Sequence, residues 1–176
     1  ELTFTAGSED VDTLSIDVGS SNEVTLGSEV EVHGVLDLES GALVLAANDL
    51  TISGDVDTSG AGSISADDGA DISITAAGSL TGGLVFTAGE DTVNNFTVDI
   101  AGGGEVAIES NLTIAGQLNF VSGSVTIDDS LNIASGASIT GADGSSFVIT
   151  NGEGQLTMEI ASGGSAEFPV GITASF

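Results

Sequence analysis

Apolar and polar residues alternate along this chain in short bursts. Val30-Glu31-Val32, Val35-Leu36-Asp37-Leu38, Leu43-Val44-Leu45 and Leu50-Thr51-Ile52 are typical, and Gly, Ser, Asn or Asp separates one burst from the next. A period of two places every second side chain on a buried side, and the separators are turn formers, so each burst predicts a short β-strand between tight corners. No stretch sustains a 3.6-residue apolar period between capping residues, so no helix longer than a single turn is predicted.

The bursts are themselves repeated. Leu2-Thr3-Phe4-Thr5-Ala6-Gly7 returns as Leu84-Val85-Phe86-Thr87-Ala88-Gly89, an offset of 82. At the same offset Leu14-Ser15-Ile16-Asp17-Val18 lies on Phe96-Thr97-Val98-Asp99-Ile100, and Glu23-Val24-Thr25-Leu26 lies on Glu105-Val106-Ala107-Ile108. Val30-Glu31-Val32 lies on Leu112-Thr113-Ile114, and Gly34, Leu36, Ser40 and Gly41 meet Gly116, Leu118, Ser122 and Gly123. One deletion later, Leu50-Thr51-Ile52 matches Leu131-Asn132-Ile133. The chain therefore reads as two copies of one block, 1–82 and 83–167, with 168–176 opening a junction to a following module.

Strands this short, with corners this close, fit an all-β parallel β-helix, or solenoid. Four rungs per block predict about 20 residues per rung. An antiparallel sandwich is the competing architecture, but its strands run longer and its turn signals fall every ~8–12 residues. In a solenoid each inward Val, Ile or Leu stacks on its equivalent one rung away, about 4.8 Å along the axis. Outward positions such as Asp17, Glu31, Asp37 and Asp99 are then free to be polar, although stacked carboxylates repel and call for counter-ions.

Composition narrows the setting. The 176 residues suffice for one domain with a core, and contain 27 acidic side chains, no Lys, no Arg and one His, a formal charge of −27. With 40% hydrophobic residues and a mean hydropathy of +0.36, the chain is too apolar for an acidic disordered tail. Without Lys or Arg it has nothing to neutralise phosphates, so nucleic acid is not an expected partner. P-loop chemistry, Schiff bases and arginine clamps are excluded for the same lack. The absence of Cys excludes disulfides, thiolate nucleophiles and cysteine metal sites. No apolar run is long enough for a membrane span, and no basic-then-apolar signal segment is present. Beginning at Glu1 and ending in an apolar run at Phe176, the chain reads as a piece of something longer.

The phrases LTFTAG, LSIDVGSSNEVTLGSEVEVHGVLDLESGALVLAANDLTISG and SFVITNGEGQLTMEIASGGSAEFPVG resemble the repetitive stalks of secreted, Bacteroidetes-type surface proteins. The resemblance spans essentially the whole chain, and this chain departs from such stalks in lacking every basic residue. It implies a long, adhesin-like β-solenoid at the cell surface. It also implies that the closing phrase, from Phe147 to Gly171, leads into the next module at Phe168. Asp12-Thr13-Leu14, Asp91-Thr92-Val93 and Asp129-Ser130-Leu131 match the Asp-Ser/Thr-apolar pattern known in Bacteroidetes, which makes Thr13, Thr92 and Ser130 candidate O-glycosylation positions. Asn95-Phe96-Thr97 and Asn111-Leu112-Thr113 fit the N-glycosylation sequon.

Parallel β-helices also include polysaccharide lyases and hydrolases. A lyase of that type needs Arg or Lys; a hydrolase needs two or three converging carboxylates, for which Asp67-Asp68 with Asp71, and Asp128-Asp129, are the candidates. Both sit in stretches where Asp is a turn former, and neither has a Trp or Tyr nearby to stack on a sugar. His33 follows Glu29 and Glu31 in a pattern open to a metal, yet its partner in the second copy is Ala115, and it reads as a solvent-facing strand end. No EF-hand or GGxGxD spacing specifies calcium, which leaves loosely held Ca2+ along acidic faces and no defined metal or cofactor site. Thr25, Thr51, Thr97, Thr113 and Thr126 do not form the regular lattice that ice binding requires. The expectation is a structural, non-catalytic segment of an extracellular surface or filament protein, with a carbohydrate-active β-helix domain as the alternative. Its expected partners are neighbouring modules or identical subunits stacked end to end.

Overall fold

The computed structural model describes residues 1–160 and 162–171. It is all-β: a solenoid of about seven turns with about 22 residues per turn, in which every strand pair is parallel. One turn of 3-10 helix, Ala101–Gly103, is the only helix among the described residues. The part of the expected junction beyond Gly171 lies outside the described residues.

Three faces run the length of the coil. The first carries the opening residues of Asp10–Asp17 and of Val30–Ser40, then Leu50–Ile52, Ile72–Ile74, the end of Phe86–Asp99, the middle of Leu112–Ser122, and Ser138–Thr140. The second carries the later parts of Asp10–Asp17 and of Val30–Ser40, and Asp55–Asp57. Gly82, packed on the Val56 carbonyl, continues it into Gly83–Leu84, Glu105–Ile108, Ser124–Ile127, Val148–Thr150 and Val170–Gly171. The third carries Glu23–Thr25, Ala42–Val44, Ser63–Ala66, the start of Phe86–Asp99, the start of Leu112–Ser122, Ser130–Ile133 and Gln155–Met158.

Inward residues form continuous columns because parallel, in-register pairing puts like on like. On the first face Val30, Leu50, Ile72, Phe96, Leu118 and Ile139 stack in sequence, with Val32, Ile52, Ile74, Val98 and Phe120 beside them. Apart from the half-buried Ile139 these are almost wholly excluded from solvent, and each such side chain contributes roughly 1.5–3 kcal/mol. The columns are what the period-two pattern predicts.

The turn is longer than the sequence pattern predicts, for a reason visible at the boundary between the copies. Phe96-Thr97-Val98 corresponds in the duplication to Leu14-Ser15-Ile16 on the second face, yet it pairs with Ile72-Ser73-Ile74 on the first. Leu112-Thr113-Ile114 likewise corresponds to Val30-Glu31-Val32 on the first face but lies on the third. One block thus makes about three and two-thirds turns, eleven sides and not twelve, and the second copy is rotated by one third of a turn. A division of the block into four whole rungs does not hold.

The two copies otherwise repeat each other in detail. The ladder between the first two long strands shifts register at Val11/Thr13 and Ile16/Asp17, and its counterpart shifts at Val93/Asn95 and Val98/Asp99. Phe4 N–H donates to Ser28 Oγ at 2.9 Å, as Phe86 N–H does to Ser110 Oγ at 2.7 Å. Gly41 and Gly123 turn equivalent corners at φ +86° and +88°, where a Cβ would come within 2.6 Å of Asn22 O and 2.7 Å of Gly104 O. Only glycine accepts both the left-handed backbone and the close carbonyl.

Candidate functional site

With no Lys or Arg, the outer surface is organised by hydroxyl donors. Ser15 Oγ donates to Asp37 at 2.7 Å, Ser40 to Asp17 at 2.6 Å, Ser53 to Glu31 at 2.8 Å, Ser65 to Glu90 at 2.6 Å and Ser122 to Asp99 at 2.8 Å. Each joins residues about one turn apart, so hydroxyl-to-carboxylate bonds lace neighbouring turns as ion pairs would elsewhere. Carboxylate stands directly on carboxylate in only two described register pairs, Asp10 on Glu31 and Asp37 on Asp57. Asp37 and Asp57 have donors of their own. The Ser59 backbone N–H, at 2.8 Å, and then its hydroxyl hold the Asp57 carboxyl below its ordinary value.

The densest acidity lies where the first face begins. Glu29, Asp49 and Asp71 each immediately precede a first-face strand, so successive turns set them in a column that ends under Asn95. With Glu9, Asp10, Glu31, Thr51 and Ser73 they line a groove of about 320 Å³. Asp71 is fixed: Asn94 and Asn95 side-chain amides and the Asn95 N–H donate to it at 2.9–3.1 Å, and its own N–H donates to Asp49 at 3.2 Å.

At one end of this groove the fold assembles Asp10, Glu31 and His33. Asp10 and Glu31 are register partners on adjacent turns, and His33 lies two residues beyond Glu31 on the same outward side. His33 Nδ1 is 3.6 Å from Glu31 Oε1 and its Nε2 is 3.9 Å from Asp10 Oδ1. One donor atom from each residue lies within 4.8 Å of the others. His33 is half exposed, as expected, but it sits inside a strand beside a register shift and not at a strand end.

The remaining candidate residues are scattered. Asp67 accepts from Gly69 N–H at 3.0 Å in a turn, and Asp68 is exposed beside it; of that group only Asp71 reaches the groove. Asp128 accepts from the Asn151 amide at 2.7 Å, and Asp129 uses its backbone carbonyl to receive Gln155 N–H. Thr13 is exposed on the second face, whereas Thr92 and Ser130 are half-buried on the third. Of the sequon asparagines, Asn95 spends its amide on Asp71, while Asn111 is exposed and accepts from Ser130 N–H at 3.3 Å.

Sequence reasoning did not join Asp10 to Glu31 and His33. The signal was present, since Asp10 lies one local turn before Glu31. A uniform rung shorter by a single position places the inward-pattern Val11 under Glu31 instead, so the smallest possible error in rung length exchanges an outward carboxylate for a core position.

Compared with family models, with curated proteins and with solved structures, the chain finds no match. The fold itself defines its class: a parallel β-solenoid repeat protein with a hydroxyl-laced acidic surface. No helix among the described residues is long and apolar enough to cross a membrane.

Proposed function

We propose that this chain is a structural, non-catalytic segment of an extracellular surface or filament protein, an acidic, salt-adapted stalk of the adhesin-like kind its repetitive phrases resemble. The observation that carries the reading is the parallel stacking of turn on turn from Leu2 to Gly171 around one narrow apolar core. Such a coil resists extension through backbone hydrogen bonds, while its charged skin keeps it soluble.

Both ends favour continuation by a neighbouring module or an identical subunit. The strand Asp10–Asp17 pairs on one side alone, and near the other end Phe168 and Val170 are about half exposed. Ile139, Ala142, Phe168 and Pro169 border an open cleft of about 430 Å³ there, which a further turn would cover. Along the acidic corner the stalk collects loosely held Ca2+ from saline surroundings. In this reading the groove carboxylates are not catalytic: Asp71 is saturated by fixed donors, and no aromatic ring lines the groove to hold a sugar.

Immunogold labelling of intact source cells, with antibody raised to this chain, tests the assignment. Label on the cell exterior or on filaments is the expected result; label confined to the cytoplasm overturns it. Release of sugars from a polysaccharide panel by the purified chain would favour the carbohydrate-active alternative.

A further inference from the structure

We propose that Asp10, Glu31 and His33 form a defined site for a zinc-type divalent cation, distinct from the diffuse acidity around it. The site stands whether or not the chain is a stalk.

Three observations meet here. The first is the donor set. One imidazole nitrogen and two carboxylate oxygens, with water completing the shell, suit Zn2+ and its first-row neighbours, whereas Ca2+ and Mg2+ prefer oxygen alone. The second is geometry. Three donor atoms mutually within 4.8 Å leave their centre no more than about 2.8 Å from each, and sub-ångström rotamer changes reach the ~2.0–2.2 Å of a zinc bond. Asp10 and His33 have the exposure to make that change, and Glu31 is already oriented by Ser53, whose hydroxyl lies 2.7 Å from that of Thr75.

The third concerns what the site lacks. Of the two in-register carboxylate pairs, Asp37 on Asp57 has serine donors on both members. Asp10 has no hydrogen-bond donor among the described residues and faces Glu31, with His33 Nε2 3.9 Å from its carboxylate. The duplication isolates the arrangement: the equivalent register pair is Thr92 on Thr113, with Ala115 in place of His33. All three donors occur together in one copy and all three are absent from the other, on the same bulged backbone.

The test uses the full chain, freed of metal with a chelator, in about 150 mM NaCl at fixed neutral pH. Zn2+ is titrated by calorimetry and followed through the imidazole NMR signals, which come from His33 alone because it is the only histidine. One equivalent of Zn2+ should move those signals, in the presence of millimolar Ca2+ as well as without it. His33→Ala and Asp10→Asn should each weaken that step at least ~10-fold, the scale on which loss of metal-site residues is felt. Both substitutions lie on an exposed surface, and an unchanged circular dichroism spectrum checks that the fold survives. Imidazole signals that do not respond to Zn2+, or unchanged affinity in His33→Ala, would overturn the site and leave only diffuse attraction to carboxylates.

Discussion

Copy one carries Glu29, Glu31, His33 and Asp49 at its acidic corner; copy two carries Asn111, Thr113, Ala115 and Ser130 at the same positions. Beneath these differences the backbone is nearly the same, down to the register shifts and the serine that receives Phe4 N–H or Phe86 N–H. The inward columns, the corner glycines and pairs such as Ser40–Asp17 and Ser122–Asp99 are shared. The fold is therefore encoded in the inward and corner positions, and the outward positions are free to differ. Because the copies are rotated by a third of a turn, they also present their outward positions in different directions.

The core offers the sharpest way to break this equivalence. Phe96 is fully buried between Ile72 and Leu118, while its counterpart Leu14 belongs to the first turn and stacks only on Leu36. Phe96→Ala should cost about 3–5 kcal/mol, near the upper range for buried truncations, and Leu14→Ala about 2 kcal/mol. Urea unfolding midpoints measure both. The corner glycines should behave alike: Gly41→Ala and Gly123→Ala each meet a positive φ and a carbonyl oxygen, and should lose about 1–3 kcal/mol.

Salt should separate the copies. Diluting from about 0.1 M to about 0.01 M lengthens the screening distance from ~10 to ~30 Å. With a formal charge of −27 and no Lys or Arg, the chain should then melt at a lower temperature. Amide exchange should quicken first along Glu29, Asp49 and Asp71, and less at Asn111 and Ser130. The smallest effect belongs to Asp57. Its folded-state carboxyl titrates below its ordinary value, so the contribution of its Ser59 bonds is present at neutral pH and is lost as pH falls through the lowered value. Carboxyl-carbon NMR should place its midpoint below that of the unfolded chain, and Ser59→Ala should narrow the gap while the backbone N–H keeps part of it.

Much of the fold was legible from the chain alone, since parallel in-register stacking makes period-two alternation and corner glycines direct consequences of the structure. Turn length was not. The steps between register partners are unequal: Glu23 meets Ala42 after a short turn, whereas Ser130 meets Gln155 after a distinctly longer one. Corners absorb the extra residues without disturbing the inward columns. An average over such steps cannot locate which outward residues meet. The hydroxyl lacing and the Asp10–Glu31–His33 cluster both depend on that local register, whereas turn-forming Asp67 needed only its neighbours to be recognised.

The third-of-a-turn rotation follows from parallel winding and from eleven sides per block, and paired cysteines read it directly in a chain that has none of its own. Ser73 and Thr97 are register partners across the copy boundary, so Ser73→Cys with Thr97→Cys should form a disulfide under mild oxidation. Ser73→Cys with Thr92→Cys, the pair that would meet if the copies were stacked in phase, should not. Linkage of 73 to 92 and none of 73 to 97 would contradict the rotated solenoid.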